Sequence, residues 1–352
     1  MNDLRNKSIA LIIPDFDFGG EEKRTVFFAN NYLNYFKAVY LFAPDGLSVQ
    51  LLDPKVNYIV TNVRNYRNLF SVLKKIKKEK IDFLQGHKRA TMPYLLASEK
   101  ILNTASIFNF DNIYLKYNNI CKFVTPKHVV YLSEIVKDYY ASYYKKNRNT
   151  TINMGGDFYE CIPMDKIQDL KKELGIENQF ILLSLGRLSE QKNHQNLIQA
   201  LSELKNENFI CLIVGDGPLE GKIKFLIEKY NIEDKVVLLG HRTDVQNLLS
   251  ISDVLVQSSI FEGFPNVFIE ATSVGLPIIA TNVGSSRTLV ENNGIIVMPN
   301  DYKGLSAAIL NMINEYSYYK EKSVTLKESS FFKQFHKVNM LENYISYYKS
   351  FK

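Results

Sequence analysis

Short apolar runs alternate along this chain with stretches whose apolar residues return every three or four positions. In the C-terminal half the runs fall at Phe180–Leu185, Phe209–Val214, Val236–Leu239, Val254–Gln257, Pro277–Thr281 and Gly294–Met298. Runs this short and this continuous predict strands buried on both faces. Between the first two, Leu197, Ile198, Leu201 and Leu204 fall on one side of a helix predicted over Asn193–Leu204. The N-terminal half repeats the alternation less cleanly, with strands at Ile9–Ile13, Val39–Phe42, Ile81–Leu84, Ser106–Phe108 and Val129–Leu132. Strands that recur with helices between them imply right-handed βαβ units and parallel sheets. A chain of 352 residues exceeds what one core usually holds. The expected fold is therefore α/β, with two Rossmann-like, doubly wound domains facing a central cleft.

The polar stretch Lys145–Ile176, with Gly155, Gly156 and Pro163, reads as the boundary. Domains are expected over 1–160 and 161–330. The aromatic-rich segment Phe331–Lys352 reads as an amphipathic helix that needs a surface to cover. No apolar run reaches the length of a membrane span, and the first residues lack a signal-peptide pattern. Cys121, Cys161 and Cys211 lie far apart with no metal spacing and read as reduced. A cytoplasmic protein is expected.

Charge changes the picture of the N-terminal half. Residues 1–160 hold 23 Lys+Arg against 15 Asp+Glu, whereas the remainder holds 20 against 22. An anionic partner is expected on the basic half. Its densest stretch, Lys74–Lys80, follows Leu69, Phe70, Val72 and Leu73, and suits either a solvated helix face or an anionic membrane surface. Nucleic acid is not expected, because no recognised motif accompanies the basic residues.

The chemistry concentrates in residues 258–277. Glu262 and Glu270 stand with seven residues between them, across a predicted loop-to-helix junction. Pro265 suits the first helical position, and Gly275 with Pro277 stops the helix, so it is predicted over Pro265–Val274. Its first turn leaves the amides of Asn266 and Val267 free at the positive end of the helix dipole. Gly263 and Phe264 bring the backbone close. Such a junction can hold phosphate oxygens, with both glutamates accepting from hydroxyls on either side. A diphosphate flanked by hydroxyls is a nucleotide sugar. Strand Phe180–Leu185 leads into Gly186 and Arg187, with Lys192 opening the next helix, so two cations stand where a diphosphate would lie. Gly215 lies in a weaker glycine-rich turn. His241 and Arg242 could line a base pocket, and His194 lies in a strand-end segment. Near the start, Gly19 and Gly20 precede a helix and could touch phosphate or sugar. Asp15 and Asp17 could instead pair on a divalent metal, a weaker reading because glycines follow at once. His87 follows a strand and could face the cleft.

Gly186-Arg187…Lys192, Gly215-Asp216-Gly217, Gly240 and Phe261-Glu262-Gly263-Phe264-Pro265…Glu270, with Gly19-Gly20, resemble the retaining glycosyltransferases of family 4, of the GT-B fold. The resemblance runs over nearly the whole chain and is stronger in its C-terminal half. It implies that Glu270 holds ribose hydroxyls and Glu262 hydroxyls of the transferred sugar. Arg187 and Lys192 would hold the diphosphate, aided by the backbone from Gly263 to Val267, and Gly19 and Gly20 would close from the other domain. It further implies metal independence, no cofactor, and a C-terminal helix over residues 331–352 that returns to the N-terminal domain. Two departures stand out. Many members carry a histidine where this chain reads Phe108-Asn109-Phe110-Asp111-Asn112, and often a Gly-Gly…Glu stretch where it reads Gly284-Ser285-Ser286-Arg287-Thr288.

The expected function is retaining transfer of a hexose from a nucleotide diphosphate sugar, UDP by frequency, to a lipid-linked glycan acceptor. The process would be assembly of O-antigen, capsule or a similar cell-surface polysaccharide, on the inner face of the cell membrane. Arg187, Lys192 and Glu262 are the expected catalytic residues, with His87 a sugar or acceptor contact. A nucleotide-sugar epimerase and a catalytically silent glycan-binding paralogue are the rival readings.

Overall fold

Strand β1 (Ser8–Ile12) is buried at every position, as a central parallel strand must be. The computed structural model describes residues 3–17, 19–114, 116–144 and 147–351. The chain divides into two units, Met1–Met154 with Val338–Lys352, and Gly155–Lys337.

In the first unit β1 is followed by α1 (Gly20–Tyr32), β2 (Ala38–Ala43), β3 (Asn57–Val60) and α2 (Leu69–Lys78). Then come β4 (Phe83–His87), α3 (Met92–Leu102), β5 (Ala105–Phe110), α4 (Asn118–Val124), β6 (His128–Tyr131), α5 (Glu134–Tyr140) and β7 (Arg148–Thr151). The strands form one parallel sheet in the order β3-β2-β1-β4-β5-β6-β7, so the winding reverses between β1 and β4. On one face Ala10, Ile12, Phe42, Leu84 and Phe108 pack with Val72, Ile76, Leu95 and Tyr140 from the α2, α3 and α5 helices. On the other face Phe28 and Tyr32 of α1 meet Phe83 and Gln85 of β4, together with tyrosines from the end of the chain.

In the second unit α6 (Met164–Glu173) precedes β8 (Phe180–Leu185), α7 (His194–Ser202), β9 (Phe209–Val214), α8 (Glu220–Tyr230), β10 (Val236–Gly240) and α9 (Val245–Ile251). These lead to β11 (Val254–Gln257), α10 (Asn266–Ser273), β12 (Ile278–Thr281), α11 (Ser286–Val290) and β13 (Gly294–Val297). The helices α12 (Tyr302–Asn314), α13 (Tyr316–Glu328) and α14 (Ser330–Lys333) close the unit. The parallel sheet runs β10-β9-β8-β11-β12-β13 and reverses its winding between β8 and β11. The last helix, α15 (Lys337–Lys349), belongs almost entirely to the first unit. Tyr344 stacks edge-on against Phe28 at 4.8 Å, and Tyr348 against Phe83 at 5.1 Å.

Four expectations need correction. Arg148–Thr151, placed in the boundary stretch, is edge strand β7, paired with β6. It escaped notice because Arg148–Thr151 is polar throughout, and β3 because its apolar run, residues 58–60, is only three residues long. Lys145 and Lys146, which open that stretch, lie outside the described residues. The division at 160/161 and 330/331 gives way to Met154/Gly155 and Lys337/Val338. Gly156 bridges His336, the Gly156 amide donating to the Phe335 carbonyl at 2.9 Å and the Lys337 amide to the Gly156 carbonyl at 3.1 Å. Segments 155–160 and 331–337 thus fold with the second unit. The single helix expected over Phe331–Lys352 is broken into α14 and α15. Finally, Pro265 is the N-cap of α10, not its first helical residue; its ψ of 103° is extended.

Candidate active site

All six strands of the second sheet are parallel, so the loops leaving β8, β9, β10, β11 and β12 share one edge. The winding reversal between β8 and β11 is where such sheets accept ligands. Lys192, from the loop after β8, reaches across that point to Glu262 in the loop after β11, Nζ to Oε1 2.7 Å. Their side chains are 18% and 11% exposed, so the pair is largely but not wholly withdrawn from water. Ser259 Oγ also donates to Glu262 Oε1, at 2.8 Å. The other carboxylate oxygen, Oε2, has no hydrogen bond among the described residues and remains available.

Glycines shape this edge. Gly186 lies at φ +151°, and a Cβ there would stand 2.8 Å from Cε of Lys192, so the lysine stem passes directly over it. Gly284, at φ +51°, lets the loop after β12 approach so closely that a Cβ would strike the Glu262 carbonyl oxygen. The Ser285 amide then donates to the Gly263 carbonyl at 3.1 Å. On the other side, the Ile260 amide donates to the Gln191 carbonyl at 2.8 Å, and Ser258 Oγ donates to the carbonyls of Lys192 and Asn193. The loop carrying Glu262 is therefore fixed from two neighbours. It delivers the chain into α10, whose first amide with an acceptor is that of Phe268, on the Pro265 carbonyl at 3.1 Å. The amides of Asn266 and Val267 come before it. Glu270 follows one turn inside the helix. Burial, with the negative charges of Glu270 and Asp157, pushes the nearby Tyr159 hydroxyl well above its usual value.

The first sheet has its own reversal point, bridged by charge in the same way. Lys88, just after β4, lies 2.9 Å from Glu22, 3.2 Å from Asp15 and 3.5 Å from Glu21. Asp15 also takes a two-pronged bond from Arg64, at 3.1 and 2.6 Å. Beneath this cluster lies a buried network. Tyr32 and Tyr348 donate to Gln85 Oε1 at 2.9 and 2.6 Å, and Tyr344 donates to Asn109 Oδ1 at 2.8 Å. Both amides must then turn their NH2 groups to His87 Nε2, each at 3.2 Å. His87 Nε2 is accordingly the acceptor, and Nδ1–H donates to Asp111 Oδ2 at 3.2 Å. Arg24 Nη2 holds the same oxygen at 2.5 Å. Burial lowers the His87 pKa, against the pull of Asp111, so the ring is neutral at pH 7. Burial alone would raise Asp111, but Arg24 and His87 outweigh it and hold that carboxyl below its usual value. Burial and the Asp111 charge push Glu21 up to about 8.

Glu21, His87 and Asp111 offer atoms within 4.8 Å of one another, a spacing a metal could span. The donor chemistry does not fit one. The ring's lone pair already faces two amides, and Arg24 and Lys88 set two cations beside the carboxylates.

Residues 166–329 match the family model of glycosyl transferases, group 1. The chain carries a group 1 glycosyl transferase domain. It is 28% identical over 280 residues to the Escherichia coli UDP-Gal:alpha-D-GlcNAc-diphosphoundecaprenol alpha-1,3-galactosyltransferase, covering 73% of this chain and 72% of that one. It is 29% identical over 196 residues to the Campylobacter jejuni N-acetylgalactosamine-N,N'-diacetylbacillosaminyl-diphospho-undecaprenol 4-alpha-N-acetylgalactosaminyltransferase, covering 54% of this chain and 52% of that one. The solved structure of Anabaena HepE with UDP-glucose superposes with a TM-score of 0.87 at 18% identity, over 98% of this chain and all of that one. The fold is thus the GT-B fold of these enzymes, with two parallel-sheet α/β units.

Within the glycosyl transferase domain, the structure brings Lys192, Glu262, Gly186 and Gly263 together. Arg187 is exposed at the same edge, and among the described residues it has no ion pair. Gly215 packs on the Gly186 backbone, which explains its φ of +137°. Phe264 is buried and serves packing. Arg242 is engaged by Asp244 through two bonds of 2.8 and 2.7 Å, and His241 adjoins it. His194 is buried, and burial lowers its pKa to about 4.

Outside that domain three readings change. His87 is 1% exposed with both ring nitrogens engaged, so it cannot face a ligand; it positions Asp111 instead. Asp15 is engaged by Arg64 and Lys88, two cations that oppose a metal at that carboxylate. Gly19 caps α1, whose first turn carries Glu21 and Glu22, and that acidity favours hydroxyls over phosphate there. Arg24, Glu21 and Asp111 went unnoticed as a cluster because nothing in their sequence spacing links β5 to α1.

Proposed function

We propose that the chain transfers a hexose, with retention at the anomeric carbon, from a UDP-linked sugar to a lipid-linked glycan in cell-surface polysaccharide assembly. The observation that carries this reading is the Lys192–Glu262 pair at the winding reversal, beside the open N-terminus of α10. Lys192 and Arg187 would take the diphosphate oxygens, and the amides of Asn266 and Val267 would add two fixed donors. As the bond from sugar to phosphate breaks, negative charge grows on the departing diphosphate, and these preorganised groups stabilise it most at that moment. Released from Lys192, Glu262 can accept from hydroxyls of the transferred sugar. Glu270 would accept from the ribose. His241 and Arg242 would line a base pocket. The activities of the Escherichia coli and Campylobacter jejuni relatives support a lipid diphosphate acceptor, and that of the Escherichia coli relative a UDP-linked donor.

No step in this scheme needs a metal or cofactor, since two cations and a helix terminus do the work of charge neutralisation. The test is a transfer assay with a panel of nucleotide sugars and an undecaprenyl-diphosphate glycan, run with and without chelator. Transfer that survives chelation and yields an α-linkage from an α-linked donor is expected. Hydrolysis or epimerisation without transfer, in every combination, would end the reading.

A further inference from the structure

The lysine-rich helix α2 is not free to lie on a membrane by its apolar side. Val72, Leu73 and Ile76 are already buried in the core of the unit, and Lys75 pairs with Glu79 at 2.9 Å. Only Phe70 among its large apolar residues faces outward, 78% exposed. Helix α4, in the same layer on the same face of the sheet, is built the other way round. Asn118 and Cys121 turn inward, while Tyr117, Ile120 and Phe123 are 70%, 64% and 75% exposed. Ile120 and Phe123, three apart on the helix, share a side, and Tyr117, its exposed N-cap, adds a third apolar group to that ridge before its first turn. Lys116 and Lys122 flank it, the Lys122 ammonium 5.2 Å from the Phe123 ring centre, and α4 carries no acidic residue.

The ridge is held from below. The Arg89 guanidinium donates to the Lys116 carbonyl and to Asn118 Oδ1, and lies 4.6 Å from the centre of the Tyr114 ring. Asn118 Nδ2 donates to Tyr139 at 3.1 Å. Tyr117 is kept at φ +65°, an uncommon backbone for a bulky residue, which persists only where the surroundings fix it. An apolar ridge held from below, on a helix with flanking lysines and no acidic residue of its own, suits an anionic bilayer, where apolar side chains enter the acyl boundary and lysines meet headgroups.

We propose that α4 is a membrane wedge: Tyr117, Ile120 and Phe123 enter an anionic bilayer, and the lysines of α4 and α2 rest on its headgroups. Tyr117 stands six positions along the chain from Asp111, at the carboxyl end of β5, a reach of at most about 22 Å. Docking would therefore hold that sheet edge close to a lipid-carried sugar. This use rests on the proposed acceptor, but the docking itself does not.

The chain has no tryptophan, so a single one reports its own surroundings. Phe123→Trp should shift its emission to the blue when vesicles containing phosphatidylglycerol are added, and much less with phosphatidylcholine alone. Phe225→Trp, on an exposed position of α8, should not shift. Ile120→Ser with Phe123→Ser should weaken cosedimentation with phosphatidylglycerol vesicles at least tenfold while keeping the melting temperature. UDP should still stabilise that double variant. No shift at Phe123→Trp, an equal shift with both lipids, or unchanged sedimentation of the double variant would overturn the wedge. A failure of UDP to stabilise even the unmodified protein would instead count against the donor reading and leave the wedge standing.

Discussion

Lys192 Nζ and Glu262 Oε1 stand 2.7 Å apart across the winding reversal of the second sheet. The pair joins two loops that are 70 residues apart in sequence. Each charge compensates the other, and in the proposed reaction a diphosphate would replace the single carboxylate as the partner of the cation. Lys192→Ala is expected to lower kcat by about 100- to 1,000-fold, or about 3–4 kcal/mol in the barrier. Steady-state kinetics check it. Lys192→Arg should rescue little, because the lysine stem runs over Gly186 and a guanidinium presents a different shape.

Gly284 makes a separate prediction about the same loop. Its φ of +51° and its contact with the Glu262 carbonyl leave no space for a methyl group. Gly284→Ala should displace the segment from Glu262 to Gly263, costing about 1–3 kcal/mol of stability. Stabilisation by UDP in a thermal melt should fall along with it. A variant that binds UDP as well as the parent would show that this backbone contact does not shape the site.

Asp111 tests the buried network of the first unit. Asp111→Asn leaves the Arg24 guanidinium buried with its charge uncompensated, and losses of about 3–5 kcal/mol are typical of such breaks. Urea unfolding monitored by tyrosine fluorescence measures this. His87→Asn should cost less, about 1–3 kcal/mol, because it removes the hydrogen bonds of a neutral ring and leaves the Arg24–Asp111 pair in place.

Glu21 gives a pH dependence with a definite sign. Its carboxyl is raised from 4.5 to about 8 in the folded protein, so the folded state binds that proton more tightly than the unfolded state. The contribution is complete below the unfolded value and is lost as pH rises through about 8. Glu21→Gln removes this dependence. Relative to the parent, the variant should therefore gain on the order of 3–4 kcal/mol between pH 5 and pH 9. Melting temperatures across that range decide it; a constant difference would show that Glu21 is ionised throughout.

The sequence by itself determined the parallel α/β plan and the site edge of the second unit. Phe180–Leu185, Phe209–Val214 and Val254–Gln257 were legible to the residue because strands buried on both faces must be apolar throughout. Gly186, Lys192, Glu262 and Gly263 were legible because each adjoins a strand end, and strand ends in a parallel sheet share one edge. What pairs with what was decided only in three dimensions. The strand expected at Ile81–Leu84 is β4, Phe83–His87: Gln85, Gly86 and His87 prolong it beyond its apolar run, and their polarity hid its carboxyl end. His87 gained its role from tyrosines more than 200 residues away on α15, which orient the two amides that fix its tautomer. No local pattern carries that information, because a hydrogen bond depends on where folded segments meet and not on their order in the chain. For the same reason the lysines of α2 suited a solvated face or a membrane surface equally in sequence, while the exposed apolar side chains of α4 drew no notice. Charge can be counted along a sequence, but exposure is settled by packing.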